Sequence, residues 1–418
     1  MSQGLIRRHL TDLAEETLAD TPITVISGAR QVGKSTLMNQ LLSGRDSRVV
    51  NLDNLADRQA ATLDPDTFVG QYSKGLLAID EVQRVPELMT ALKANVDRDR
   101  RPGRFLITGS ADLMALRGSQ ESLAGRAETI LLDGLSQGEL VGRKEDFAAF
   151  AWELGGKDTP DSREGYTRRD YLRLAVTPAF PGMRDGGQRT RSRRLRNYIE
   201  RVLSKDTTDV TGIAHPDRLM PLLQILAGRN SGEFVAARVG REINIPERSL
   251  PTYLGALRAV YLVRVLPGWS NNMTKGAVAI PKVSLSDTGL AAYLAGVNVA
   301  GLEEDVSATL AGGFIEGFVF GELSKQRSWS DQDFALSHFR DSHGHEVDLV
   351  LENLRREVVG VEVKATSTPR ASDFRGLEFL RDKTGKRFRA GVLLHTGTRS
   401  LPFGDRLWAL PISTLWEH

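Results

Sequence analysis

Gly28, Gly33, Lys34 and Ser35, set within Gly28-Ala29-Arg30-Gln31-Val32-Gly33-Lys34-Ser35-Thr36, have the types and spacing of a phosphate-binding loop between a strand and a helix. The glycines let the backbone turn and aim N–H groups at phosphate oxygens, and the helix that starts there adds its dipole. Lys34 supplies a flexible point charge for β- and γ-phosphates, while the Ser35 hydroxyl is placed to hold Mg²⁺. A second acidic stretch, Gly75 to Gln83, carries apolar residues up to Asp80-Glu81. Asp80 is expected to hold Mg²⁺, through water or Ser35, and Glu81 to polarise an attacking water as general base. ATP and Mg²⁺ are therefore the expected cofactors.

Two further stretches bear on that chemistry. Arg104 to Ser110 ends in small hydroxyl residues, and Thr108 or Ser110 is expected to sense the γ-phosphate; plain turn chemistry from Thr-Gly-Ser is the alternative. Arg126, at the end of Ser122 to Arg126, either caps the γ-phosphate of a neighbouring subunit or satisfies a local loop.

These residues need a parallel sheet to bring them to one edge. Pro22 to Ser27 reads as a buried strand and Ser35 to Leu42 as a helix with an apolar face. Arg48 to Asp53, Gly75 to Asp80, Arg104 to Ser110 and Thr129 to Leu132 read as further strands, the third of these lying between the first and the acidic one. Residues 3 to 20 have the spacing of an amphipathic helix that packs against this domain.

At 418 residues the chain is too long for one ordinary core, and two or three domains are expected. An apolar fraction of 40% and a charged fraction of 26% suit a globular protein. A net charge of +2 selects no partner, so a nucleic-acid surface has to come from local clustering. The absence of cysteine excludes disulfides and thiolate metal sites. With no run of 18 apolar residues and no apolar stretch after Arg7 and Arg8, a cytoplasmic protein with no membrane partner is expected.

Such clustering occurs in Gln188 to Lys205, where Arg189, Arg191, Arg193, Arg194 and Arg196 crowd together. The block either neutralises phosphates or is a solvated helix face joining two domains. Leu219 to Leu226, Glu233 to Ile243 and Arg248 to Ala259 then read as three helices, followed by a strand at Tyr261 to Val265. That is the order of a winged helix, with Arg248 and Arg258 on the third helix, used for DNA or for packing. Asp287 reads as the cap of the helix after Lys282 to Leu285.

The last third holds another constellation. Gly312 to Leu323 reads as a helix carrying Glu316, and Glu346 to Leu351 and Gly360 to Ala365 as strands carrying Asp348, Glu362 and Lys364. Strand alternation places Glu362 and Lys364 on one face. This is the pattern of restriction-endonuclease-like folds, in which the acids hold Mg²⁺ against a phosphate and the lysine orients water. An active nuclease, an inactive binding module and an unrelated sheet all stay open.

The segments G-A-R-Q-V-G-K-S-T, L-L-A-I-D-E-V-Q-R-V-P, R-F-L-I-T-G-S, S-L-A-G-R and D-G-L-S-Q-G-E-L together resemble the AAA-type ATPases paired with a domain of unknown function, DUF4143. Asp170 to Gly182 is similar to the helical lid of that family, departing from it at Thr177-Pro178-Ala179. The resemblance extends to Asp287 and Gly289, to the nuclease-like positions and to the closing strand and helix in Leu401 to Trp416. It implies an α/β chain with an ATPase domain and lid over 1–185, a basic helix and winged helix over 186–300, and a nuclease-like domain over 301–418. It also implies a homo-oligomer, such as a hexameric ring, that couples ATP hydrolysis to DNA remodelling or translocation. An ATP-regulated nuclease and a nucleotide-controlled assembly switch are the alternatives.

Overall fold

Short strands alternate with helices through the first 150 residues, and that pattern closes into a parallel sheet. A computed structural model describes residues 5–112, 123–155, 165–271, 279–305 and 309–418. The strands β1 (Ile23–Ser27), β2 (Ser47–Asn51), β3 (Leu76–Asp80), β4 (Phe105–Gly109) and β5 (Ala127–Leu131) pair in the order β2-β3-β4-β1-β5. Every residue of β1, β3 and β4 is buried, which explains their unbroken apolar runs. β4 lies between β1 and β3, so the carboxyl ends of all three meet at one edge.

The middle of the chain is mostly helical. Gln188–Arg201 is a regular helix that passes through a π-helical turn at Val202–Asp206 into Thr207–Thr211. The helices Leu219–Gly228, Ala236–Glu242 and Leu250–Ala259 surround a small antiparallel sheet. Its strands β6 (Gly232–Glu233), β7 (Val263–Leu266) and β8 (Lys282–Leu285) lie in the order β6-β8-β7.

A mixed sheet completes the chain. After the helix Thr309–Gln326 come β9 (Phe334–Arg340), β10 (Glu346–Asn353) and β11 (Val358–Lys364), an antiparallel meander. The helix Arg375–Thr384 crosses over to β12 (Phe388–His395), which runs parallel to β11. β13 (Leu401–Pro402) and β14 (Leu407–Pro411) extend the sheet, giving the order β13-β14-β12-β11-β10-β9. The whole is an α/β protein.

One apolar cluster runs from Leu10 through Tyr198 and Leu223 to Trp416, so the three regions share a core. Polar contacts reinforce it: the Gln137 N–H donates to Glu322 at 2.8 Å, and Lys325 Nζ donates to the Leu135 carbonyl at 2.9 Å.

Several expected boundaries move for local reasons. The first helix spans Leu10–Asp20 rather than starting near residue 3, because the preceding segment lets Arg8 reach into the nucleotide domain; residues 1–4 lie outside those described. The stretch read as a helix from Glu233 divides, since Gly232 and Glu233 pair with β8 and the helix starts at Ala236. Tyr261 turns with φ +58° instead of opening a strand, and β7 begins at Val263. β2 stops at Asn51, leaving Asp53 free of the strand to pair with Arg84 at 3.0 Å.

Candidate functional site

β1 delivers Gly28 at φ +152°, where a Cβ would stand 2.1 Å from the Leu132 carbonyl oxygen, so only glycine fits. The loop then runs through buried Ala29, Arg30, Gln31 and buried Val32 to Gly33, whose φ of +105° starts the helix Lys34–Leu42. Lys34 is buried, and its Nζ donates to the carbonyls of Gly28 and Ala29 at 3.0 and 2.9 Å. Ser35 and Thr36 open the helix with their side chains exposed.

The acidic strand end lies opposite. Ser35 Oγ donates to Asp80 Oδ2 at 2.9 Å, Asn51 Nδ2 donates to the same oxygen at 3.4 Å, and Thr108 Oγ1 donates to Asp80 Oδ1. A hydroxyl and a carboxylate at this spacing are donors of the kind a hard divalent cation takes, so Ser35 and Asp80 fit Mg²⁺. Glu81 leaves the strand at φ +59°, a left-handed conformation uncommon outside glycine. Its Oε2 accepts from Ser110 Oγ at 2.9 Å and from Gln83 Nε2, which also donates to Ser110 Oγ at 2.8 Å. Ser110 thus addresses the glutamate, and Thr108 the aspartate.

Burial pushes the Lys34 ammonium down to about 8, against the pull of Glu81 and Asp80. A triphosphate favours the charged lysine, which is present below that value and lost above it. Affinity for ATP is therefore expected to fall roughly tenfold per pH unit above about 8. Equilibrium titrations from neutral to alkaline pH check this; a flat profile across that range refutes it.

Two arginines brace the loop: Arg8, which motif spacing did not point to, and Arg30, a residue of the motif whose distant partner the spacing did not reveal. Arg8 Nη1 donates to the Val32 carbonyl at 2.8 Å and Nη2 to the Asp133 carbonyl at 2.7 Å, while Nε pairs with Glu139 at 2.9 Å. Arg30 forms a two-point ion pair with Asp206, at 2.7 and 2.9 Å. Arg126 is engaged locally: Nε and Nη2 meet the two Asp97 carboxylate oxygens at 2.7 and 2.9 Å, and Nη1 donates to the Ala124 carbonyl. Ser122 of that segment lies outside the described residues.

In the last domain Glu316, Asp348, Glu362 and Lys364 come together, joined by two residues the motif omits. Lys282, at the start of β8, places Nζ 2.8 Å from Glu316, 2.9 Å from Glu346 and 3.2 Å from Asp348. Asp348 Oδ2 accepts the Val363 N–H at 2.9 Å, and Lys364 Nζ donates to Glu362 Oε1 at 2.6 Å. Glu362 Oε2 is buried without a hydrogen-bond partner among the described residues. Burial and the nearby Asp348 charge push Glu316 up to about 8 and raise Glu362 well above the usual carboxylate range. Among the described residues no group of three or more His, Asp or Glu side chains is placed to hold a metal ion. Of the three acids expected to hold Mg²⁺, Glu316 and Asp348 pair with the Lys282 ammonium and Glu362 with that of Lys364. A cleft of about 590 Å³ opens beside this cluster, lined by Arg229, Arg238, Arg340 and Glu233 among others.

Replacing Lys282 with Met would leave three close carboxylates without their shared cation. A loss of about 3–5 kcal/mol is expected, the usual cost of stranding buried charge. Urea unfolding of the variant measures it, and an unchanged midpoint would contradict the pairing.

The parallel sheet, the glycine-rich loop at its β1 edge and the acid pair at the end of β3 define a P-loop ATPase domain of the AAA type. Residues 20–141 match the model of an AAA domain, 168–300 that of the domain of unknown function DUF8612, and 311–415 that of DUF4143. The chain is 30% identical over 370 residues to the uncharacterized proteins Rv2008c of Mycobacterium tuberculosis and Mb2031c of Mycobacterium bovis, covering 88% of itself and 75% of each. It belongs to their family, an AAA-type ATPase family with a C-terminal DUF4143 domain. Among solved structures, a Walker-type ATPase of Pyrococcus abyssi matches at 16% identity and a TM-score of 0.41, over 69% of this chain and 96% of that one. A Holliday-junction branch-migration motor, RuvB of Thermotoga maritima, matches at 17% identity and a TM-score of 0.27, over 62% and 87%. No helix among the described residues is long and apolar enough to cross a membrane.

Proposed function

We propose that this chain hydrolyses ATP and couples the cycle to remodelling or translocation of DNA in the cytoplasm. The observation that carries the first half is the meeting of Lys34, Ser35, Asp80 and Glu81 at one sheet edge, with Ser110 and Gln83 holding the glutamate. Backbone N–H groups from Gly28 to Thr36 wrap the phosphates, and Lys34 exchanges its loop carbonyls for β- and γ-phosphate oxygens. Mg²⁺, held by Ser35 and Asp80, supplies neutralising charge to the phosphates when bound. Glu81 orients and deprotonates the attacking water, and Ser110 sets its side chain through the 2.9 Å hydrogen bond. Arg126 serves as the charge-stabilising finger across a subunit interface of a homo-oligomeric ring, after release from Asp97.

For the second half, the middle region over 186–300 reads as a basic helix followed by a winged helix: helix, short strand, two helices, hairpin. Arg248 and Arg258 are exposed at and on its third helix. On the basic helix Gln188–Arg201, the side chains of Arg189, Arg191 and Arg193 make no hydrogen bond or ion pair among the described residues, whereas that of Arg194 is tied to the carbonyls of Gly182 and Asp185. The C-terminal domain over 301–418 reads as a nuclease-like fold used for binding rather than cutting, because Lys282 stands among its acids; Lys364 then positions Glu362 without activating water.

DNA is expected to raise the ATPase rate of the wild type. Changing Arg189, Arg191 and Arg193 together to Ala should weaken DNA binding and make the slope of log affinity against log salt shallower by roughly 2–3. A rate indifferent to nucleic acid would favour the assembly switch, and DNA cleavage lost in Lys364→Ala would restore the nuclease reading.

A further inference from the structure

The phosphate loop is closed by a residue from far outside the nucleotide domain. Asp206 lies 176 positions beyond Arg30, yet its two carboxylate oxygens accept from Nε and Nη2 along one edge of the guanidinium, with side chains only 10% and 6% exposed. We propose that this pair is a latch that reads the γ-phosphate: bound ATP competes with Asp206 for Arg30, and bound ADP does not. The proposal rests on nucleotide binding at the loop.

Three observations support it. Arg30 belongs to the phosphate loop itself, four positions before Lys34, so the Asp206 carboxylate paired with it stands against the loop that would receive the triphosphate. Two anions would then share one guanidinium in a largely buried place, where like charges repel strongly. Tyr198 supplies the second observation. Its hydroxyl is buried without a hydrogen-bond partner among the described residues, and it feels the charges of both Asp206 and Arg30. It is a donor in reserve for the carboxylate once Arg30 turns to phosphate. Third, Asp206 ends the π-helical turn Val202–Asp206, a geometry that recurs at functional positions. That turn continues the helix bearing Arg189 to Arg196, so opening the pair frees the backbone that leads to the arginine cluster.

The test compares affinities for fluorescent ADP and a non-hydrolysable fluorescent ATP analogue in the full-length wild type, Asp206→Asn and Asp206→Glu. Removing the competing charge in Asp206→Asn is expected to improve the ratio of ATP-analogue to ADP affinity roughly tenfold, and Asp206→Glu to restore the wild-type ratio. In the wild type the ATP analogue, but not ADP, should speed amide hydrogen exchange across residues 198–211. If Asp206→Asn does not fold, Arg30→Gln serves instead, and the affinity preference for the ATP analogue should disappear. An unchanged ratio in whichever variant folds, or equal exchange with both nucleotides, overturns the latch while leaving nucleotide binding intact. Failure of the wild type to bind either nucleotide overturns both.

Discussion

Glu81→Gln is expected to cut ATP turnover by about 10²–10⁴-fold while leaving ATP binding in place, because glutamine keeps the shape but cannot take a proton. The surroundings sharpen this expectation. Glu81 stands at φ +59° with its Oε2 held by Ser110 at 2.9 Å and by Gln83, so the amide can occupy the same position with one hydrogen-bonding partner exchanged. The proposed nucleotide contacts lie in Gly28 to Thr36, which the substitution does not touch. Single-turnover hydrolysis beside equilibrium nucleotide binding separates the two effects. Wild-type turnover in the variant would remove Glu81 from the chemistry, and lost binding would mean that its role is to shape the site. Ser110→Ala should lower turnover less, since Gln83 still holds the carboxylate.

Arg8→Met is expected to destabilise the protein by about 3–5 kcal/mol. The Arg8 and Glu139 side chains are 7% and 1% exposed, and the guanidinium also satisfies the carbonyls of Val32 and Asp133. Removing it leaves a buried carboxylate with backbone donors alone, from His9 and Ser136, and leaves two carbonyls short of a donor. Because Val32 belongs to the phosphate loop, ATP affinity should fall with stability. Arg8→Lys should rescue little, as one ammonium cannot reproduce a planar fork aimed at three acceptors. Urea unfolding paired with nucleotide titration gives both readings, and a midpoint near wild type in Arg8→Met would contradict the brace.

The nucleotide-site motif residues were legible because their geometry is local. Gly28 to Ser35 is one turn between a strand and a helix, and Asp80-Glu81 is one strand end. Gln83 lay within the acidic segment, but its hold on Glu81 and Ser110 follows from a 3₁₀ turn that periodicity does not reveal. The C-terminal acids were legible for the same reason, since alternation along β10 and β11 sets their faces. Alternation also puts Glu346 on the face of Asp348, a signal present in E-V-D-L. Lys282 carried no such signal: as the first residue of K-V-S-L it reads as an ordinary strand start.

By itself, then, the order of residues made legible most strands and helices, the glycine-rich loop and the acid pair at a strand end, because each depends on neighbours a few bonds away. Only the tertiary structure decided that Arg8 and Asp206 clasp that loop and that Lys282 enters the acidic cluster. Those partners are separated by 24, 176 and 34 or more positions, and buried charges find one another through the packing of whole elements, which no spacing in the chain encodes.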